Sequence, residues 1–404
     1  MPNSNRLAVL GGNPTFWEKI PICRPTLPAF EELSERFSEV LDTGQITNGK
    51  YVKEFERKCE EFMGAGNAVA AANCTSGLML TFKALGLAGE VIVPSFTFSA
   101  TVHSLLWNGL KPIFVDCDPE TFNLNANQIE KKITAKTCAI LGVYIFGNPP
   151  EILKLEELAT EYNLKLVFDA AHAFGAKYHG RFAGNFGDAE VFSLSPSKLL
   201  VAGEGGIITT NDDELARRLR IGRDYGNPGD YNCELVGLNA RLTEFNAILG
   251  IRSLKDLEIN ISKRNRLAEI YRFFLGTLPG IAFQKIEEGL RSTYKDLSIL
   301  IDPEKFGLGR DLAAFCLEKE NISTKKYYFP PVHLQDACRS VCGENEGELP
   351  VTEHLSRNIL SLPLYSHMSD EEAVKICEAI QKIHENREKI IKYLSLNSYA
   401  EVKV

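Results

Sequence analysis

Short apolar segments alternate with amphipathic segments between about residue 50 and residue 210 of the chain. The apolar segments are rich in β-branched residues, which favours buried strands, and the segments between them repeat apolar residues at helical spacing. The predicted strands are Ala68–Ala72, Val91–Val93, Pro112–Val115, Ala139–Val143, Leu166–Phe168, Val191–Ser193 and Ile207–Thr210. The main predicted helices between them are Leu78–Leu85, Ala100–Trp107, Ala126–Ile133 and Ile152–Tyr162. This alternation predicts an α/β fold with a mostly parallel, seven-stranded sheet sandwiched by helices.

After Thr210 the helical segments become longer, and a region richer in charge follows. The last predicted helix is amphipathic, and Ser369 and Glu372 have the spacing of a capping box at its start. We therefore expect two domains: the N-terminal segment with a large α/β domain over residues 1–254, and a smaller α+β domain over residues 255–404. The elements predicted here are helices from Asp212 or Asp213 through Arg223, over Leu242–Leu275, Arg310–Lys319 and Ser369–Ile390, and a strand over Leu297–Ile301.

Composition narrows the class of protein. The 404 residues are 44% hydrophobic and 24% charged, which is the balance of a globular protein and excludes a disordered or fibrous chain. The formal net charge of −8 argues against a protein that coats nucleic acid or an anionic membrane. No apolar segment approaches the roughly 20 residues that a membrane-spanning helix needs. We expect a soluble cytoplasmic protein that binds neither nucleic acid nor membrane.

The ten cysteines are scattered along the chain and show no disulfide framework, so we expect reduced thiols. Cys338 and Cys342 lie close to His333 in the sequence and could suggest a metal site. A second cysteine pair with the spacing of zinc ligands is absent from the sequence, so no metal is expected.

Three segments carry the candidate chemistry. Asp169 ends an apolar strand, Lys198 lies in a hydroxyl-rich loop after another strand, and Gly203–Gly206 forms a flexible turn. Pyridoxal phosphate needs a lysine for a Schiff base and a carboxylate for its ring nitrogen, and Asn73–Gly77 before a helix could hold its phosphate. Each feature by itself is as well explained by a surface lysine or a capping aspartate. The residues alone leave both interpretations open.

Further motifs occur in one order along nearly the whole chain. They are Ile46–Gly49, Glu54–Glu56, Glu90–Ala100, Phe114–Phe122, Asp169–His172, Phe192–Gly206, Gly237–Arg241 and Ser361–Leu364. In this order they resemble the DegT/StrS-type sugar aminotransferases, which have the aspartate-aminotransferase-like fold, fold type I of the pyridoxal-phosphate-dependent transferases. The resemblance implies pyridoxal 5'-phosphate as the cofactor, with pyridoxamine 5'-phosphate as its intermediate form.

The same resemblance implies a role for each matching residue. Lys198 would form the Schiff base and act as the catalytic acid and base, Asp169 would pair with the ring nitrogen, and His172 would lie beside the ring. A homodimer with composite active sites is implied as well. The remaining implied cofactor contacts are Phe98 on the ring face, Ser193, Thr75 and Ser76 at the phosphate, and Asn239 at the phosphate from the neighbouring subunit.

The chain departs from the family pattern beside Lys198. The family often has a His three residues before the lysine and an Asn directly after it, where this chain has Ser195 and Leu199, so any substrate contact of that His and Asn is in doubt. Tyr144 also stands at a position where many members of the family have His. The lysine itself argues against the branch of the family that carries His in its place and acts as a dehydratase.

The substrate is inferred from a narrower resemblance. Leu7–Pro14 and Ala84–Gly109 resemble a sub-branch that aminates nucleotide-linked 4-keto-6-deoxy sugars with L-glutamate and forms dTDP-4-amino-4,6-dideoxy-D-glucose. Lys325, Lys326 and Arg181 could meet a diphosphate or be ordinary surface charges. Open alternatives are a 3-keto-6-deoxy sugar, a GDP- or UDP-linked keto sugar, a cyclitol ketone, and a regulatory relative that binds the cofactor without catalysis.

Overall fold

The computed structural model describes residues 6–343 and 347–396. The ends of the two predicted domains, residues 1–5 and 397–404, lie outside the described residues. In chain order the strands are β1 (Asn67–Ala71), β2 (Glu90–Pro94), β3 (Lys111–Val115), β4 (Thr137–Val143), β5 (Lys165–Asp169), β6 (Lys177–Tyr178), β7 (Arg181–Phe182), β8 (Ala189–Ser193), β9 (Gly206–Thr210), β10 (Ile281–Phe283), β11 (Leu290–Arg291), β12 (Leu297–Ile301) and β13 (Ile359–Leu362). The α-helices are α1 (Ser34–Thr43), α2 (Lys50–Met63), α3 (Cys74–Ala84), α4 (Ser99–Trp107), α5 (Ile152–Glu161), α6 (Asp213–Gly222), α7 (Glu244–Lys255), α8 (Leu257–Leu275), α9 (Pro303–Phe306), α10 (Arg310–Lys319), α11 (Asp336–Cys342), α12 (Pro350–Asn358), α13 (Asp370–Glu385) and α14 (Arg387–Leu396).

The main sheet has seven strands in the order β1-β9-β8-β5-β4-β2-β3 within the described residues. Paired strands are parallel except at β9, which runs antiparallel to both β1 and β8. These are the seven strands that the apolar segments predict, so the mostly parallel sheet is confirmed. Strands β5 and β8 are neighbours with Asp169 opposite Val191, and the segments that follow both strands therefore start at one edge of the sheet.

Apolar side chains pack on both faces of this sheet. On β5, Phe168 belongs to the core on one face and Val167 to the core on the other, as the alternation of side chains along a strand requires. Helices α2, α5 and α7 contribute to the first core, and α3, α4 and α6 to the second. The sheet is sandwiched by helices, which confirms the predicted fold class.

The C-terminal part has a three-stranded antiparallel sheet, β10-β12-β13. Its core, formed with α8, α10 and α13, also includes Leu7 and Leu10 from the N-terminal segment. Helix α8 connects the two parts, because Ile261 packs in a core of the main sheet and Tyr271 in the C-terminal core. The division into two domains after residue 254 stays a prediction, and the N-terminal segment packs with the C-terminal part.

Two long predicted helices are interrupted. The segment Leu242–Leu275 consists of α7 and α8, separated at Asp256, which has φ −100° and ψ 2°. The final predicted helix, Ser369–Ile390, is divided at Asn386 into α13 and α14 in the same way. Short polar side chains compete with the helical backbone for hydrogen bonds, and the Asn386 amide donates to the Lys382 carbonyl at 2.9 Å.

The predicted helix over Ala126–Ile133 is replaced by two 3₁₀ turns, Ala126–Gln128 and Glu130–Lys132. Ala126 and Ile129 are both buried, and residues three apart lie on one side of a 3₁₀ turn. The predicted helix starts agree better with the structure. Asp212 caps α6, and a complete capping box at the start of α13 confirms the pairing expected for its residues.

No helix of the described residues is long and apolar enough to cross a membrane. The described part of the chain also has no group of three or more His, Cys, Asp and Glu side chains that could hold a metal ion.

Candidate active site

A cavity of about 310 Å³ lies at the edge of the main sheet where β5 and β8 end. Open α/β sheets bind ligands at the carboxyl ends of their strands, and this position is therefore the expected one. The lining residues are Asn73, Cys74, Thr75, Leu78, Thr97, Phe98, Ala100, Val143, Tyr144, Asp169, Ala171, His172, Ser193, Ser195, Ser197, Lys198, Glu204, Lys295, Asp296, Tyr327 and Tyr328.

Asp169 is the last residue of β5, and its carboxylate is buried. The Thr101 hydroxyl donates to Oδ2 at 2.6 Å, and the backbone N–H of Ala171 donates to Oδ1 at 3.1 Å. Burial raises the pKa of the Asp169 carboxyl, while these two hydrogen bonds act in the opposite direction. A buried carboxylate held in this way is suited to a cationic partner that enters the cavity.

Lys198 lies in the loop after β8, where its backbone N–H donates to the Ser195 carbonyl at 3.0 Å. Burial, and after it the charge of Lys295, lower the pKa of the Lys198 amine from 10.5 to about 8. Among the residues that the structure describes, the amine has neither a hydrogen-bond acceptor nor an ion-pair partner. A substantial neutral fraction and a free lone pair make this amine a nucleophile and a proton acceptor.

His172 follows β5 by three residues and is partly buried. Burial lowers the pKa of its imidazole well below the usual value, and the charges of Lys198 and Lys295 act in the same direction. The His172 side chain is therefore neutral near pH 7 and can stack or accept a hydrogen bond without adding charge. Its backbone carbonyl accepts a hydrogen bond from the Thr293 hydroxyl at 2.5 Å, which fixes the loop.

The start of α3 forms the polar end of the cavity. The Asn73 side chain caps the helix by accepting the Ser76 N–H at 2.8 Å, and Thr75 lines the cavity beside it. Ser193 ends β8 close by. A Cβ at Gly206 would lie 2.7 Å from the Asn73 carbonyl carbon, so glycine permits the close approach of β9 to this helix start. Helix N-termini with hydroxyl groups are suited to phosphate.

Six of the predicted site residues line the cavity, and two do not. Thr75, Phe98, Asp169, His172, Ser193 and Lys198 belong to the lining. Ser76 does not, because its hydroxyl turns back and donates to the Asn73 carbonyl at 3.0 Å. Asn239 is exposed, and its backbone pairs with that of Asp224. The roles assigned to these residues stay predictions.

Phe98 is the residue before α4 and is 59% exposed. Its ring centroid lies 6.3 Å from that of Tyr328, and both rings face the cavity. Most of the Phe98 ring is therefore available to a flat ligand.

Four lining residues come from the C-terminal part and were not predicted from the sequence. They are Lys295, Asp296, Tyr327 and Tyr328. Lys295 and Asp296 stand directly before the predicted strand Leu297–Ile301, and that charged pair beside an apolar segment is the signal that could have indicated them. Nothing in the sequence pattern places this strand next to Lys198.

The donor set fits pyridoxal phosphate. Lys198 offers an amine that is unpaired among the described residues, Asp169 a buried carboxylate, and the start of α3 with Ser193 a phosphate-binding end. The exposed ring of Phe98 provides a surface for stacking. These are the groups that the cofactor uses in proteins.

Comparisons with known proteins agree with this chemistry. The sequence model of the DegT/DnrJ/EryC1/StrS aminotransferase family matches residues 29–381. A dTDP-4-amino-4,6-dideoxy-D-glucose transaminase of Escherichia coli is 33% identical over 363 residues, covering 89% of this chain and 98% of the relative. A GDP-perosamine synthase of Escherichia coli O157:H7 is 33% identical over 381 residues, covering 91% of this chain and 99% of the relative. The crystal structure of DesI in the presence of its TDP-sugar product has a TM-score of 0.90 and 35% identity, covering 97% of this chain and all of that one.

Proposed function

Because the chain belongs to the DegT/DnrJ/EryC1/StrS aminotransferase family, we propose that it transfers the amino group of L-glutamate to a dTDP-linked 4-keto-6-deoxy sugar. The enzyme is a pyridoxal-phosphate-dependent aminotransferase that acts on nucleotide sugars. The keto substrate would be dTDP-4-dehydro-6-deoxy-D-glucose and the product dTDP-4-amino-4,6-dideoxy-D-glucose. The single observation that carries this choice is the match over 97% of the chain to a protein whose crystals hold a TDP-sugar product.

The residues of the chain have distinct tasks in this reaction. Pyridoxal phosphate, when bound, stores the amino group between the two substrates and stabilises the electron pair left on the carbon that loses a proton. Lys198 would hold it covalently until the amino donor displaces the lysine. The freed amine would then move a proton from the donor's α-carbon to the cofactor carbon that carries the nitrogen, for which a pKa of about 8 is suited. Asp169 would keep the ring nitrogen cationic, and neutral His172 would lie beside the ring.

A second cleft adjoins the cavity, and we propose it as the site of the nucleotide. Thr97, Phe98, Tyr327 and Tyr328 line both spaces, and Lys325 and Lys326 lie in the cleft alone. A diphosphate there would meet the Lys325 ammonium while the sugar points toward Lys198. The Lys326 ammonium is paired with Asp311 at 2.6 Å, so it would contribute less.

Arg181, the third basic residue considered from the sequence, is absent from the cleft and lies over the Phe186 ring at 4.7 Å. It therefore gives this proposal no support.

We also propose a homodimer. Asn239 is exposed outside this chain's own cavity, so the predicted phosphate contact would have to be made by the partner subunit's Asn239. Measurement of the solution mass and of cofactor affinity in Asn239→Ala tests this expectation.

One experiment tests the substrate. The yellow enzyme is bleached with L-glutamate, freed of donor, and mixed with dTDP-, GDP- and UDP-linked 4-keto and 3-keto sugars. We expect colour to return fastest with dTDP-4-dehydro-6-deoxy-D-glucose, and mass spectrometry and NMR identify the amino product. Faster recovery with a GDP-linked keto sugar would move the assignment toward the GDP-perosamine synthase relative, and no bleaching with any amino acid would favour a regulatory protein.

A further inference from the structure

Lys295 and Asp296 form a buried ion pair inside the cavity. Lys295 Nζ lies 2.7 Å from Asp296 Oδ1, and the two residues are only 4% and 6% exposed. The Lys295 backbone is held on both sides, since its N–H donates to the Phe146 carbonyl at 3.0 Å and its carbonyl accepts from the Arg264 guanidinium at 3.0 Å. The pair is therefore fixed in place before any substrate enters.

One oxygen of this pair has no partner. Asp296 Oδ2 is buried and accepts no hydrogen bond from the residues that the structure describes. A buried carboxylate oxygen without a donor is costly, and a protein normally supplies one from its own side chains or from water. A ligand with an O–H or N–H group next to Asp296 would supply it here. The Lys295 ammonium has three N–H donors and donates one of them to Asp296 Oδ1, so it can also donate to such a ligand.

The position of the pair indicates which part of the substrate it can contact. Both residues line the cavity with Lys198, and both charges influence the ionisation of its amine. Tyr327, which also lines the cleft with Lys325 and Lys326, has its ring centroid 5.5 Å from Lys295 Nζ. The pair therefore shares the cavity with Lys198 and lies near Tyr327, which also borders the cleft proposed for the nucleotide. This is the part of the site where the sugar ring would lie.

We propose that Asp296 and Lys295 bind a ring hydroxyl of the keto sugar, Asp296 Oδ2 accepting a hydrogen bond from the hydroxyl and the Lys295 ammonium donating one to its oxygen. The inference rests on the proposed function and makes the pair specificity-determining for the sugar half-reaction. A sugar hydroxyl both donates and accepts, which is what an adjacent carboxylate and ammonium require. The carboxylates of L-glutamate have no proton to donate near pH 7 and would be repelled by Asp296, so the amino donor fits this pair less well.

The test compares the two half-reactions in Asp296→Asn. The glutamate half-reaction is followed by bleaching, and the sugar half-reaction by the return of colour with dTDP-4-dehydro-6-deoxy-D-glucose. We expect kcat/KM of the sugar half-reaction to fall at least about 10-fold more than that of the glutamate half-reaction, since a hydrogen bond to a charged group is lost. The double variant Lys295→Met/Asp296→Leu removes both contacts without leaving a buried charge unpaired, and it serves as well if Asp296→Asn does not fold. Exposed Asp42→Asn is the matched control.

Two further measurements separate binding from a purely structural role. For one of the two analogues, the 2-deoxy or the 3-deoxy keto sugar, kcat/KM of the wild-type enzyme should fall at least about 10-fold. In the variants, kcat/KM with that same analogue should be no lower than with the full keto sugar. The variants should also bind the amino-sugar product at least about 10-fold more weakly while binding dTDP like the wild type.

The results distinguish failure of the hydroxyl contact from failure of the proposed function. Equal losses in both half-reactions, or unchanged binding of the product, would overturn the hydroxyl contact and leave the proposed function intact. If glutamate bleaches the wild-type enzyme but none of the nucleotide keto sugars restores its colour, the proposed function fails and the hydroxyl contact fails with it.

Discussion

Replacing Lys295 with Met should raise the pKa of Lys198. In the wild-type protein burial is the main cause that lowers this pKa from 10.5 to about 8, and the charge of Lys295 is the second. The substitution removes that positive charge and leaves Asp296, whose charge acts in the opposite direction, without its partner. Both changes favour the protonated form of Lys198.

The size of the effect follows from the two charges. A single nearby charge shifts a pKa by one unit or more, about 1.4 kcal/mol, so we take the Lys198 pKa in the variant as about 9. At pH 7.5 the neutral fraction of the amine is then about 3%, against about 24% for a pKa of about 8. Because only the neutral amine attacks the cofactor aldehyde, the rate at pH 7.5 should fall about 8-fold.

The assay is the reconstitution of the cofactor-free enzyme with pyridoxal phosphate, followed by absorbance from pH 6.5 to 10. The ratio of variant to wild-type rates cancels the ionisation of the cofactor itself. The midpoint of the rise in rate with pH reports the pKa of Lys198. Lys295→Met/Asp296→Leu removes both opposing charges and should shift this midpoint less than Lys295→Met does, and exposed Lys305→Met should not shift it. A midpoint in Lys295→Met equal to or below that of the wild type would refute the reasoning.

Three other substitutions test the site and the fold. Lys198→Ala should lower turnover by at least about 10³-fold, because nucleophile and proton carrier are lost together. Normal turnover would contradict the catalytic role of Lys198. Asp169→Asn should slow bleaching by glutamate about 10²- to 10³-fold in stopped-flow measurements, and an unchanged rate would exclude its electrostatic role. Arg223→Met removes the partner of buried Glu56 and should lower the free energy of unfolding in urea by about 3 kcal/mol or more. The double variant Arg223→Met/Glu56→Gln should recover part of this loss, and an equal loss in the single and double variants would contradict the explanation.

The sequence predicts the main sheet well because its strands are buried on both faces. Such strands read as almost continuous apolar runs, as Val91–Val93 and Leu166–Phe168 do, and turns separate them clearly. Short elements of the C-terminal part carry less signal. Strand β13 contains Ser361, whose buried hydroxyl pairs with that of Ser298 at 2.7 Å, and a polar residue of this kind interrupts the apolar pattern.

The candidate site is predictable where it depends on chain order. Asp169 and Ser193 end parallel neighbouring strands, so the rule for open α/β sheets brings them to one edge. Lys295 and Asp296 enter the cavity only because the C-terminal part packs against that edge. Packing between distant segments leaves no periodic trace in the sequence, and the charged pair reads as a solvated turn until its burial is seen.

The charges of the two adjoining spaces bear on how the proposed substrate would be oriented. The cavity lining holds two lysines and three acidic residues, Lys198 and Lys295 against Asp169, Glu204 and Asp296, with His172 neutral. A diphosphate would find no excess positive charge there once the cofactor phosphate is bound, whereas the cleft beside it offers Lys325, with Lys326 next to it paired to Asp311. In the proposed complex the anionic nucleotide should therefore stay in the cleft and the uncharged sugar should enter the cavity, which would bring its keto carbon to Lys198 and its hydroxyls to the buried pair.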